Sequence, residues 1–103
     1  MYNAYLERGE CHLRQKQDNP AFDDFNQALS LKPDAPLALM GRAGIYLRRK
    51  AYHKAVADFN EAIRLSPDLA NAYRGRANAR RALDDAAGAQ ADDQKYQELS
   101  AGK

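Results

Sequence analysis

The chain is predicted to be all-α, built from three helix-turn-helix hairpins stacked in a row, and two observations carry that prediction. The first is a repeat: AFDDFNQALSLKP at residues 21–33 returns as AVADFNEAIRLSP at 55–67, an offset of 34 with no gap. Ala21/Ala55, Asp24/Asp58, Phe25/Phe59, Asn26/Asn60, Ala28/Ala62, Leu31/Leu65, Pro33/Pro67 and Asp34/Asp68 coincide, and the same step reaches Ala89, Asp92 and Leu99. The second is that apolar residues within each period recur at helical spacing and are interrupted by turn residues halfway. Repeats are therefore expected at 2–35, 36–69 and 70–103, with breaks near 17–19, 33–35, 50–52, 67–69 and 84–86.

In the first repeat, Tyr5, Gly9, His12 and Leu13 stripe one helix before Gln17-Asp18-Asn19-Pro20 interrupts it. Asn19 is expected to cap the second helix, with Pro20 at its first position and Phe22, Phe25, Ala28 and Leu29 as its buried stripe. Pro33 ends that helix near Lys32, because proline lacks a donor and restricts the residue before it, and Asp34 is left to cap the next. In the second repeat, Leu39, Ala43 and Tyr46 stripe the first helix; Tyr52, Ala55, Val56, Phe59, Ala62 and Ile63 stripe the second. Small residues at Gly9, Ala43, Ala21 and Ala55 are expected to let paired helices approach, with an aromatic one turn on filling the space beside them. The third repeat keeps a first helix (Tyr73, Ala77, Arg80, Arg81), but Asp93 replaces the phenylalanine, Tyr96 a small alanine, and the closing proline is missing. A last repeat has no neighbour on its outer side, so this degenerate second helix is expected to act as a solubilising cap.

These residues and their spacing resemble the tetratricopeptide repeat family, over the whole chain and most clearly in the middle repeat. The resemblance implies a short right-handed α-superhelix whose first helices line a concave face, and a non-catalytic module that binds other proteins. Some members of that family clamp a partner's terminal carboxylates with lysines and asparagines on the first helices. Here the matching places hold Leu6, Glu10, Asn71 and Gly75, with Gly41 or Arg42 between, so that clamp is not carried over.

Composition and motifs agree with a binding role. The 45% apolar and 29% charged content is that of a globular chain, and 103 residues leave no room for a second domain. One cysteine, Cys11, forms no internal disulfide; the start has no basic cap before an apolar run, and no membrane-spanning stretch occurs, so a cytoplasmic location is the default. His12 and His53 lie in different repeats, the acidic pairs Asp23-Asp24, Asp84-Asp85 and Asp92-Asp93 are neighbours suited to caps or solvated faces, and no glycine-rich phosphate loop is present. Neither an enzyme nor a metal or other cofactor is expected.

Two charge ladders share the period: Arg8, Arg42, Arg76 and Asp24, Asp58, Asp92. A common period points to structural ion pairs, with Arg42 meeting Asp58 in its own repeat or Asp24 across the junction. The remaining charge is segregated by sign, with Arg14, Lys16, Arg48, Arg49, Lys50, Arg74, Arg80 and Arg81 on first helices and acids concentrated on second helices. A second apolar stripe of Leu37, Met40, Gly44 and Leu47, matched by Leu6 and Leu13, either packs against neighbouring first helices or forms a ligand floor. The candidate groove is therefore Leu6, Leu13, Leu37, Met40 and Leu47 on one side and Arg48, Arg74, Asn78 and Arg81 on the other. The expected ligand is a peptide of a partner protein that mixes apolar and acidic residues. Nucleic-acid backbone binding is the alternative, weakened because the aromatics fall at core positions and not between the groove's cations; self-association through the repeat ends is another.

Overall fold

The computed structural model describes residues 2–101. Six helices follow in order: α1 Tyr2–Arg14, α2 Asp18–Leu31, α3 Pro36–Arg48, α4 Tyr52–Leu65, α5 Ala70–Ala82 and α6 Ala86–Ala101. They pair as three hairpins, α1 with α2, α3 with α4 and α5 with α6, and each hairpin packs on the next through α2 against α3 and α4 against α5. No strand occurs among the described residues. The fold class is the one the repeat predicts, and the five interhelical breaks, at 15–17, 32–35, 49–51, 66–69 and 83–85, begin one or two residues before their expected places.

The curvature follows from which helices meet. First helices touch one another, α1 with α3 and α3 with α5, whereas α2, α4 and α6 do not touch each other. The first helices are thus gathered on the inner side and the second helices splayed on the outer side.

Each first helix ends in the same way. Lys16, Lys50 and Asp84 sit at φ 60°, 62° and 65°, in the left-handed region, one repeat apart. Around them Gln17 N donates to His12 O and Lys16 N to Leu13 O, and the same pair of bonds recurs from Ala51 to Tyr46 and Lys50 to Leu47, and from Asp85 to Arg80 and Asp84 to Arg81. This reverse turn satisfies the last carbonyls and sends the chain back along its partner helix. Glycine usually holds such a position, so its absence hid the motif from sequence reading.

Two cap assignments differ from expectation. α2 starts at Asp18 with Gln17 before it, which places Asn19 inside the first turn, where its Oδ1 accepts from Arg49 Nη2 at 2.6 Å. Ala35, not Asp34, precedes α3, and no side chain caps either helix. Pro36 supplies the fixed φ at the start of α3 instead. Asp85 does cap α6, its Oδ1 accepting from Gly88 N at 3.0 Å.

The core is made of small residues and a few large ones. Phe25 and Ile45 are the largest fully buried side chains, among Ala21, Ala28, Ala35, Ala38 and Leu39. Phe59 plays the part of Phe25 one repeat on, packed with Ala43, Ala55, Ala72 and Ala79. Phe22, on the expected stripe of α2, is only half-buried, its ring edge-on to Tyr46.

Candidate functional site

Both charge ladders close inside their own hairpins. Arg8 donates to Asp24 from Nε (3.0 Å) and Nη2 (2.8 Å), Arg42 to Asp58 (2.8 and 3.0 Å) and Arg76 to Asp92 (3.0 and 2.7 Å). Each is a two-pronged fork that matches guanidinium to carboxylate. Hydrogen bonding to Asp58 holds the Arg42 guanidinium above its ordinary pKa despite the opposing effect of burial. The third nitrogen crosses the junction, and its partner there is an asparagine: Arg42 Nη1 reaches Asn26 Oδ1 at 3.0 Å, and Arg76 Nη1 reaches Asn60 Oδ1 at 2.8 Å. These arginines are spoken for structurally. The recurrence of Asn26 and Asn60 is visible in the sequence, but its purpose is not, since the asparagine belongs to the preceding repeat.

The inner surface is the exposed stripe of the first helices. On α5 it runs through Asn71, Arg74, Asn78 and Arg81, all exposed; on α3 it runs through Leu37, Met40, Gly44, Leu47 and Arg48. Leu37 is 48% exposed, whereas Met40 is half-buried between the two core clusters and Leu47 leans on the second. The second apolar stripe therefore divides, part of it packing neighbouring helices and part of it facing outward. On α1, Leu6 is 8% exposed and belongs to the core, and Leu13 is half-buried against it. Leu6 thus offers a ligand almost no surface, because α1 has turned that side onto its hairpin partner and α3.

The cations differ in availability. Arg48 pairs with Asp18, and Arg81 donates to Asp93 at 2.8 Å and to Asn78 at 3.4 Å. Arg74 has no carboxylate partner among the described residues; it lies 5.5 Å from the centre of the Tyr96 ring, with the phenol oxygen 3.4 Å from Nη1. A guanidinium parked on an aromatic face keeps most of its edge free to donate. On α1, one period before Gly44 and Arg48, Glu10 and Arg14 are exposed and carry opposite signs. Along the inner stripe the surface thus passes from mixed charge on α1, through apolar on α3, to basic on α5. No group of His, Cys, Asp or Glu among the described residues forms a metal cage, and no described helix is long and apolar enough to cross a membrane.

Glycines shape the floor. A Cβ on Gly9 would lie 3.0 Å from the Phe25 ring, and one on Gly41 would overlap the same ring from the next repeat; Gly75 stands in the same relation to Phe59. Each phenylalanine thus reaches through the junction into a notch that only glycine leaves open. A Cβ on Gly44 meets nothing within 4 Å. Gly44→Ala is therefore expected to stabilise by up to about 1 kcal/mol through helix propensity. Gly75→Ala should destabilise by about 1–2 kcal/mol, overpacking outweighing the same propensity gain. Urea unfolding of the two variants checks the opposite signs, and equal shifts would mean that Phe59 does not fill the notch.

Comparison with known proteins agrees with this geometry. Family profiles described as tetratricopeptide repeat match residues 21–70 and, separately, 2–35, together spanning most of the chain. A comparison with curated proteins found no significant match. Among solved structures, the first TPR of Spaghetti (RPAP3), bound to the HSP90 peptide SRMEEVD, superposes with a TM-score of 0.91 at 27% identity, covering 99% of this chain and 81% of that one. The first TPR domain of human RPAP3 gives 0.90 at 28% identity, with 100% and 81% covered. The Arabidopsis OM64 TPR domain gives 0.93 at 24% identity, with 99% and 84% covered, a likeness of fold. With the 34-residue period, the hairpin stack and the family profiles in agreement, the chain belongs to the tetratricopeptide repeat family.

Proposed function

We propose that the inner face binds a short segment of a partner protein, seated with apolar side chains over Leu37, Met40 and Leu47 and an acidic residue against Arg74. The observation that carries this reading is Arg74: an exposed guanidinium with no carboxylate of its own among the described residues, on the same inner face as exposed Leu37 and half-buried Met40 and Leu47. The structural neighbour that holds SRMEEVD supports the ligand class, a short acidic peptide. The mode of anchoring is read differently. Leu6 and Glu10 offer no terminal-carboxylate clamp, and a side chain at Gly41 or Gly75 would overlap Phe25 or Phe59. Recognition then rests on an internal acid and its apolar neighbours, not on a chain terminus. Phosphate backbones are less suited, because Arg48 and Arg81 are already paired with Asp18 and Asp93.

The test begins with capture of partners by the domain, with and without nuclease, and maps the bound segment as a peptide. Leu37→Glu, at a side chain 48% exposed, and Arg74→Glu are each expected to weaken that peptide about tenfold, a loss of about 1.4 kcal/mol, with the melting temperature nearly unchanged. Amidating the peptide's C-terminus should have little effect. Capture that disappears with nuclease, or variants that bind normally, would overturn the groove reading.

A further inference from the structure

The turns that close the three hairpins lie at one end of the stack, and their charges differ. One period apart they read RQKQDNP at 14–20, RRKAYHK at 48–54 and ALDDAAG at 82–88. The first two hold six cations, Arg14, Lys16, Arg48, Arg49, Lys50 and Lys54, against one carboxylate, Asp18, which Arg48 already engages. The third holds two aspartates and no cation. Because the whole chain carries a formal charge of +2, everything outside the first two turns is net negative.

The structure joins those two turns into one basic rim. Across the junction Arg48 pairs with Asp18, and Arg49 Nη2 donates to Asn19 Oδ1 at 2.6 Å. The Arg49 guanidinium also lies 4.4 Å from the centre of the Phe22 ring, and Lys54 Nζ lies 5.8 Å from that of Tyr46, so these aromatic faces are already covered by cations. Lys16 and Lys50 stand at the tips of the turns, exposed, with no carboxylate or other acceptor among the described residues. Their φ angles of 60° and 62° are in the region that glycine enters without strain, and the third hairpin puts Asp84 there, a residue type that tolerates it. A lysine at that place costs stability, and at an exposed helix end the helix dipole returns only part of the loss. Strain accepted twice, one period apart and for the same cation, points to a use for that cation outside the fold.

We propose that this rim is a second interaction surface, separate from the inner groove, that rests on an anionic lipid membrane. Its cations sit on long side chains at the tips of turns, and a membrane meets them with a continuous sheet of headgroup charge, whatever their spacing. Each lysine or arginine brought near such a surface strengthens binding about fivefold. Single-stranded nucleic acid is a poorer match, because the covered rings of Phe22 and Tyr46 offer bases no platform. A duplex is a cylinder, so it touches a row of turn tips along one line and leaves most of the cations unused. The net negative remainder of the chain is repelled by the same membrane, which orients the rim towards it. The helices then stand on end, and the inner groove stays open to the side.

The test is co-sedimentation with phosphatidylcholine vesicles made with and without phosphatidylserine. The chain is expected to sediment only with the phosphatidylserine vesicles, and to be released as salt is raised. Lys16→Gly combined with Lys50→Gly should weaken this binding about 30-fold while raising the melting temperature by about 4 °C or more, so that binding and stability move in opposite directions. Asp84→Lys, which extends the rim to the third hairpin, should strengthen binding at least about fivefold. Lys32→Gln combined with Lys95→Gln removes the same charge from exposed places away from the rim and should leave binding nearly unchanged. Sedimentation that does not depend on phosphatidylserine, a melting temperature that falls in the glycine variant, or an equal loss in the glutamine control overturns the proposal. Tighter binding to a DNA or RNA duplex than to the vesicles, at equal phosphate concentration, would assign the rim to nucleic acid and overturn the stated occupant.

Discussion

Replacing Phe25 by alanine is expected to destabilise the domain by about 3–5 kcal/mol, the range for truncating a fully buried phenylalanine. The ring has no exposed surface and lies between Gly9 of its own hairpin and Gly41 of the next. Its removal therefore empties a site shared by two repeats, and the helices on either side cannot close onto it without giving up the spacing set by Ala21, Ala38 and Ala43. In a stack held together only by nearest neighbours, a weakened junction also loosens the coupling between units. Denaturant unfolding should show a lower midpoint, with a shallower slope if the first hairpin begins to unfold ahead of the rest. A loss below about 1 kcal/mol would be incompatible with a ring seated across the junction.

Asp92→Ala should cost nearly as much, about 3 kcal/mol, because it strands two cations at once. The carboxylate side chain is 4% exposed and accepts from Arg76 Nε and Nη2 and from Arg80 Nη1 at 2.9 Å. Without it, two half-buried guanidiniums lose their shared carboxylate, Arg76 keeping only the neutral Asn60 as acceptor and Arg80 no carboxylate but Asp85, 3.8 Å from its Nε. The same substitution should cost progressively less at Asp58 and Asp24, since their arginines are 25% and 60% exposed and recover more hydration when left alone. Thermal melts of the three variants at one ionic strength test the order, and a reversed order would show that solvent access to the arginine does not govern the loss.

Much of this is legible in the amino-acid sequence because a repeat converts sequence into geometry. Positions one period apart must occupy equivalent places, so a shared period is enough to match the arginine ladder to the aspartate ladder. The period does not choose between Asp58 and Asp24 for Arg42, because both lie within reach of a first helix flanked by two second helices. The answer, aspartate within the hairpin and asparagine across the junction, depends on the rotation between successive hairpins. The groove is legible only in outline. Exposed stripes on α5 follow from its polar residues, but Leu6 and Leu37 look alike as letters and end at 8% and 48% exposure.

What the sequence determined by itself is everything that acts over one helical turn or one period: six helices, their breaks, the small residues at crossings and the pairing of opposite charges. Helix propensity, proline and the 3.6-residue rhythm are local, and repetition extends them without further information. What only the tertiary structure decided is which side of each first helix is covered. It buried Leu6, left Arg74 without a carboxylate among the described residues, and turned Gly41 and Gly75 into notches for the preceding phenylalanine. Each of those outcomes depends on how one hairpin is set against the next, and that angle results from many small contacts acting together, with no single residue encoding it.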